Sequence, residues 1–418
     1  MTPAPWRFLR EEARWLAAGA LMTFASSFGQ TFFIALFADP LRAATGLGHG
    51  GWGTLYAAAT LASALTIAVA GQLADRRPMA LPAAVVLGLL AAGAVAMSAV
   101  ASIWLLGLAV FLLRFAGQGM ASHVATTAAA RWFAATRGRA LAVVALGHPV
   151  GEAVLPGLVV GLTAWLGWRS TWLAVALALV VVVAPLVVRL AAVERTPRRP
   201  HPRASEPTSS ERLGTGLDGR HWDRRDVLRH PLFWALLPGV LASPFMGTAV
   251  LFQAAPLVAA KGWSLELYAA AFPTYAALSV AGGLTSGLLV DRFGPVRLFP
   301  LVLLPLAAGL ALLAGAGHPV AAFAVLGLIG LSTGAVFTLV AALFAELYGT
   351  RHLGAVRGLV SGFTVFGTAM APGVTGLLLA AGVGLEAQFA AMSVIALALG
   401  GGLAAVSRHL LNRPAAPA

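Results

Sequence analysis

The chain contains no cysteine in 418 residues, which excludes disulfides, thiol nucleophiles and thiolate metal sites. Charge is almost as scarce. Asp, Glu, Lys and Arg make up 10% of the residues, against about 25% in soluble domains. Lysine is represented by Lys261 alone, beside 27 arginines, a bias that fits a GC-rich prokaryotic genome. No glycine-rich loop ending in Lys-Ser or Lys-Thr offers a phosphate cradle, so nothing suggests that the chain hydrolyses ATP. Paired histidines at metal-ligand spacing and a nucleophile elbow are missing too. These absences give no reason to expect an enzyme, a metal centre or a cofactor.

What fills the chain instead is apolar: 59% of its residues are hydrophobic. A helix that crosses a bilayer core needs about 20 such residues. Twelve runs of that order can be placed, near 15–37, 52–74, 80–100, 103–128, 139–164 and 168–190, then near 231–258, 267–290, 298–316, 319–345, 356–382 and 384–407. The first run could pass for a secretory signal, but eleven more follow it, so it reads as an uncleaved first span. Residues 193–229 interrupt the pattern. They are rich in Arg, Pro, Ser and Glu, and such a stretch cannot bury enough apolar area to fold alone. The expected organisation is a six-helix bundle over 1–192, a basic linker over 193–229 and a second six-helix bundle over 230–418.

The net charge of +13 invites a nucleic-acid reading, and its distribution argues against one. With a cytosolic N-terminus and twelve spans, 24 of the 28 basic residues fall on the cytosolic side. Arg42, Arg169 and Lys261 fall outside, and Arg114 falls within the membrane. That is the positive-inside asymmetry of inner-membrane proteins. The basic residues are then expected to orient the chain and meet anionic headgroups, with both termini cytosolic, in a bacterial cytoplasmic membrane, as a monomer.

The two halves repeat each other. Gly71-Gln-Leu-Ala-Asp75-Arg76 recurs as Gly287-Leu-Leu-Val-Asp291-Arg292, an offset of 216. The same offset carries Gly138 to Gly354, Gly151 to Gly367 and Pro156 to Pro372. Six plus six spans, a central linker and this paired loop motif resemble the major facilitator superfamily over essentially the whole chain. The resemblance implies an all-α polytopic protein of two pseudo-symmetric six-helix bundles, with twelve transmembrane helices. It implies a gating role for Gly71, Asp75 and Arg76 and for Gly287, Asp291, Arg292, Gly294 and Arg297. Each Asp could pair with a neighbouring Arg or helix N-terminus and hold one conformation. A solvated turn with orienting arginines is the plainer alternative. The first copy departs from the family pattern, with Pro78 where the second has Gly294. A finer likeness, from Arg131-Trp-Phe-Ala-Ala-Thr-Arg-Gly-Arg through Gly147-His-Pro-Val-Gly151, points to the monocarboxylate and oxalate/formate branch. The acidic signature often found in that branch's first helix and the basic residue of its eighth are absent here.

Charges inside a membrane cost about 2.5–3.5 kcal/mol each on insertion scales. Arg114 and Glu152 are the two candidates, at similar depth in the antiparallel fourth and fifth runs. Their counterparts at the offset of 216 are Gly330 and Thr368, so the task they serve belongs to the first half. A guanidinium grips a carboxylate bidentately and stays charged, which makes Arg114 an anion anchor and Glu152 a proton carrier whose affinity depends on Arg114. The alternative is a buried Arg–Glu pair that only fixes packing. His148, four residues before Glu152 on the same helical face, could relay protons or be a packing histidine. Thr23, Ser27 and Gln30 share one face of the first run, and Gln253 is the best polar candidate of the second half. They could line a substrate cavity or make helix–helix hydrogen bonds. The expected function is secondary transport of a small, monocarboxylate-like organic anion with a proton, by alternating access. A proton-coupled exporter of lipophilic compounds and a non-transporting membrane sensor are the alternatives.

Overall fold

The computed structural model describes residues 5–75, 77–133, 136–195 and 215–412, and among these it holds helices and turns without a strand. In a bilayer core each backbone group must be satisfied within its own segment, so long helices are the form open to apolar runs of this length. Among the described residues, eleven helices are long and apolar enough to cross a membrane. In the first half they are His49–Gln72, Ala80–Ser98, Ile103–Trp132, Arg137–Leu166 and Trp168–Ala191. In the second they are Pro231–Phe252, Leu265–Phe293, Pro295–Gly315, Ala321–Tyr348, Leu353–Ala380 and Leu385–Leu411. Ala13–Gly29 and Thr31–Thr45 make the first span together, bent by 45°, so that twelve spans are reached. The chain divides into two compact units, Met1–Ser205 with Ala254–Pro256, and Glu206–Gln253 with Leu257–Ala418.

Three interruptions shape the first unit. In the first span Gln30 is extended (φ −83°, ψ 155°). Phe33 N and Ile34 N both donate to Gln30 O, so the carbonyl of Gly29 is not used by Phe33, its partner in an unbroken helix. The fourth span is α-helical to Leu113 and then runs as a π-helix from Arg114 to Ala121. The fifth span breaks at Leu146, between Arg137–Ala145 and Gly147–Leu166. Pro149 explains that break, because it has no N–H to offer the carbonyl of Ala145.

Bare backbone sets the closest helix contacts, as small residues do in membranes. In the first unit a Cβ on Gly147 would lie 2.0 Å from Ala20 O, and one on Gly151 would lie 2.1 Å from Ser27 Oγ. In the second unit a Cβ would lie 2.3 Å from Tyr275 O at Gly330 and 1.8 Å from Ser279 O at Gly334. The repeat position that carries a guanidinium at 114 is therefore bare at 330, where the tenth span touches the eighth. Serine hydroxyls then tie neighbouring helices of the second unit through backbone carbonyls. Ser332 donates to Val302 O at 2.9 Å, Ser393 to Ala307 O at 2.8 Å and Ser407 to Val296 O at 2.6 Å.

The two copies of the loop motif are built differently. Gly294 has φ 77° and ψ 151°, a conformation essentially reserved for glycine. Pro78, its counterpart in the repeat, is locked near φ −65° and cannot reproduce that turn. The first loop is held from outside instead. Arg131 donates twice to Arg77 O, at 3.0 and 3.1 Å, and Glu194 accepts from Met79 N at 3.0 Å. The side chain of Asp75 and the whole of Arg76 lie outside the described residues.

Described residues at both ends of the expected linker over 193–229 pack against the units. Glu194 and Arg195 are bonded into the first unit, and the part from residue 215 folds against the second. There Trp222 is buried, and Asp223 caps a short helix, Arg224–Arg229, in a reciprocal capping box with Asp226. Hydrogen bonding to the backbone at Asp226 and Arg225 holds the Asp223 carboxyl below its ordinary range. An Arg- and Pro-rich stretch has no core of its own, but it can borrow one.

Gly334→Val should lower the melting temperature of the purified protein by several degrees, since overpacking costs about 1–3 kcal/mol. Gly157→Ala, where a Cβ meets open space, should leave it unchanged. Equal melting of both variants would show that the contact between the eighth and tenth spans does not need bare backbone.

Candidate functional site

The break in the first span gathers the polar residues of the first unit. A Cβ on Gly117 would stand 2.6 Å from Gly29 Cα, so the first and fourth spans meet there backbone to backbone. That contact brings Arg114, at the start of the π-helical turn, under the unused carbonyl of Gly29. Arg114 Nη1 donates to Gly29 O and to Thr31 Oγ1, each at 3.2 Å. Tyr56 of the second span donates its hydroxyl to Thr31 Oγ1 at 3.0 Å. The face of the Tyr56 ring lies 5.3 Å from the guanidinium carbon, within cation–π range. Arg114 is 1% exposed, and its Nε is buried without a hydrogen-bond partner.

The expected proximity of Arg114 and Glu152 is not found as an ion pair among the described residues. Glu152 meets His148 instead, Nε2 to Oε1 at 3.4 Å. The pairing along one helix follows from the i,i+4 spacing, which puts the two side chains on the same face. The side chain of Glu152 is 8% exposed and that of His148 35%, while His148 Nδ1, the ring nitrogen turned away from Glu152, is buried without a hydrogen-bond partner. Phe32, just beyond the break, places its ring 6.4 Å from the His148 ring. One broken span thus lies against both charged groups, Arg114 through Gly29 and Thr31, His148 through Phe32.

The other expected lining residues divide. Thr23 is buried and donates to Ala20 O at 3.0 Å and to Val144 O at 2.5 Å, a bond between helices. Ser27 is fully buried and its Oγ has no partner. Gln30 is half-buried, but the break at that residue takes it off the helical face shared by Thr23 and Ser27. Gln253 is buried and donates Nε2 to Thr375 Oγ1 at 2.9 Å, which engages it inside the second unit. Of the second loop motif, Asp291 and Arg292 are exposed, and among the described residues of their unit neither forms an ion pair. The Arg292 guanidinium lies over the neighbouring Phe293 ring at 5.2 Å.

The sequence reading missed Gly29, Thr31 and Tyr56. Thr31 and Tyr56 carried a weak signal, as hydroxyls within apolar runs. Gly29 carried none, because its contribution is a carbonyl freed by a break that depends on the packing of Gly117.

The profile of the Major Facilitator Superfamily matches residues 19–284 and 245–417. The chain belongs to this superfamily. A fungal member, the MFS transporter asaE of Aspergillus flavus, is 24% identical over 260 residues, 61% of this chain and 54% of that protein. The chain thus spans about half the length of that relative. Among solved structures, a bacterial homologue of the human lysosomal transporter Spinster matches in its inward-facing, occupied conformation. Its TM-score is 0.72 at 18% identity, over 98% of this chain and 99% of that one. The nucleoside transporter NupG matches with a TM-score of 0.70 at 13% identity, over 96% and 99% of the two chains. At these identities the likeness is one of fold. This superfamily member is accordingly a multi-pass membrane protein.

Tyr56→Phe and Thr31→Val should each destabilise the protein and should couple in a double-mutant cycle by about 1 kcal/mol. Additive effects in thermal or denaturant unfolding would mean that the two hydroxyls do not act together to hold Arg114.

Proposed function

We propose that this member of the superfamily carries a small organic anion, monocarboxylate-like, together with a proton, by alternating access across a bacterial cytoplasmic membrane with both termini cytosolic. The observation that supports the reading is Arg114. It is a guanidinium buried within a span, with no acidic partner among the described residues. Two neutral oxygens and an aromatic face stabilise such a cation, but they supply no counter-charge, and an unpaired charge in low dielectric is expensive. An anionic substrate would supply it, in the bidentate geometry that guanidinium favours.

The Glu152–His148 pair serves as the proton site in this reading. The imidazole and the carboxylate, in contact at 3.4 Å, would share and pass a proton between them. Anion and proton then move together because the turn of backbone around Gln30 lies against both groups. When the anion draws on Arg114, the hold of the guanidinium on Gly29 and Thr31 loosens, and Phe32 beside His148 shifts with it.

A second reading is favoured by one specific feature, the fact that Arg114 already spends Nη1 on the first span. Arg114 would then be a pin, and Glu152 with His148 would accept protons or cations for an exporter of lipophilic compounds.

The deciding measurement is the internal pH of proteoliposomes challenged with a panel of small carboxylates and of lipophilic cations. Anion–proton symport predicts internal acidification under an inward carboxylate gradient, lost in Arg114→Gln. Glu152→Gln should abolish the pH change while exchange of labelled carboxylate persists. Silence with every carboxylate and a Glu152-dependent response to lipophilic cations would overturn the anion reading in favour of export. Ligand binding without any flux would leave a membrane sensor.

A further inference from the structure

Two contacts, one toward each end, set the second span against the fourth. A Cβ on Gly107 would lie 3.7 Å from Leu55 Cδ1, and one on Gly119 would lie 2.1 Å from Ile67 Cδ1. Both pairs share an offset of 52, so the two spans run parallel and in step. Tyr56, Thr60, Ser63 and Ile67 recur at helical spacing on one face of the second span. That face is fixed toward the π-helical stretch at both of its ends. Tyr56 lies against the Arg114 guanidinium, and Ile67 lies on Gly119. Thr60 stands between them, and the offset puts it within one turn of Arg114.

Thr60 departs from the other threonines of its helix. A threonine in an apolar helix commonly donates its hydroxyl to the carbonyl one turn back. Thr54 does so to Gly50 O at 2.8 Å and Thr66 to Ala62 O at 2.9 Å. Ser63, on the same face as Thr60, donates to Thr60 O at 2.8 Å. The Thr60 hydroxyl makes no such bond. It is buried, in a residue 1% exposed, and has no hydrogen-bond partner among the described residues. Arg114 Nε is in the same position. Nη1 is engaged with Gly29 O and Thr31 Oγ1, whereas Nε belongs to the edge of the planar guanidinium that Nη1 does not share. Two buried polar groups are thus left without partners within one turn of each other, and such groups are costly unless something bonds them.

We propose that Arg114 Nε and the Thr60 hydroxyl form a binding position for one small anion, buried between the second and fourth spans on the edge of Arg114 turned away from Gly29. Nε can only donate, and the hydroxyl can donate as well, so the ligand supplies an acceptor atom. Beside a guanidinium with no carboxylate partner among the described residues, that acceptor is anionic. A carboxylate oxygen and a halide share this chemistry. The carboxylate case rests on the anion reading above, and there Thr60 takes part in selecting the substrate. A halide would be a resident counter-ion of Arg114, and that case does not need the reading.

Thermal unfolding of the purified full chain tests the position, in HEPES as the sole anion and with sodium acetate or sodium chloride added. Binding should raise the melting temperature of wild type in a saturable way. Acetate alone should do so for a substrate carboxylate, and chloride as well for a resident ion. Thr60→Ser, which keeps the hydroxyl, should respond as wild type. Thr60→Val, which has the shape of threonine without the hydroxyl, should melt as wild type in HEPES alone. It should need about tenfold more of the same salt to reach half of the effect, the factor that answers to ~1.4 kcal/mol. Arg114→Gln should lose the response. Equal midpoints in wild type and Thr60→Val would overturn the position, and so would a wild type that answers to neither salt. Equal midpoints with the response lost in Arg114→Gln would overturn the role of Thr60 and leave the anion reading standing. Silence of proteoliposomes toward carboxylates, beside a chloride response that depends on Thr60, would overturn that reading and uphold the position.

Discussion

Arg114 imposes the constraint on which the first unit turns. A guanidinium cannot shed its charge, and in an apolar bundle it has to find acceptors. Side-chain carboxylates are the usual solution, yet here the acceptor is the backbone itself. A carbonyl becomes available in a helix only where the hydrogen-bond ladder fails. The extended residue at Gln30 produces that failure, and the contact of Gly29 with Gly117 brings the exposed carbonyl to the guanidinium. The π-helical turn that begins at Arg114 belongs to the same arrangement. Inserted turns of this kind recur at functional sites because they redirect one side chain without displacing the rest of a helix.

The second unit shows what the same architecture does without such a demand. Its tenth span has Gly330 where the fourth has Arg114, and its backbone approaches the eighth span closely along Gly330 and Gly334. Serines reach neighbouring carbonyls, Gln253 reaches Thr375, and the polar groups tie one helix to another. One repeat is thus arranged around a charge and the other around close packing. That division leaves the charged chemistry to the first unit.

Interactions outside the spans compensate for a degraded motif. Gly294 shapes the second loop by its own backbone, while Pro78 prevents the same turn in the first. Arg131 and Glu194 then hold the first loop through its main chain, and Glu194 does so from the head of the central segment. A region that composition marks as a spacer is in this way part of the fold at each end, because an Arg or a Trp of a polar segment can be buried once partners are provided by its neighbours.

The amino-acid sequence by itself determined the class of the molecule. Long apolar runs admit little but spanning helices, the offset of 216 discloses two copies, and the asymmetry of Arg114 and Glu152 puts the charged residues in the first. The pairing of His148 with Glu152 was legible as well, since it needs only the helical period. Tertiary structure decided what sequence spacing could not reach. Arg114 and Glu152 belong to different helices, and whether they pair depends on the depth and rotation of each. A broken first span and a π-turn in the fourth changed both, and gave Arg114 a carbonyl, a threonine and a tyrosine in place of the carboxylate. Gln253 and Thr23 turned inward for the same reason, because helix rotation is set by close glycine contacts that local periodicity does not register.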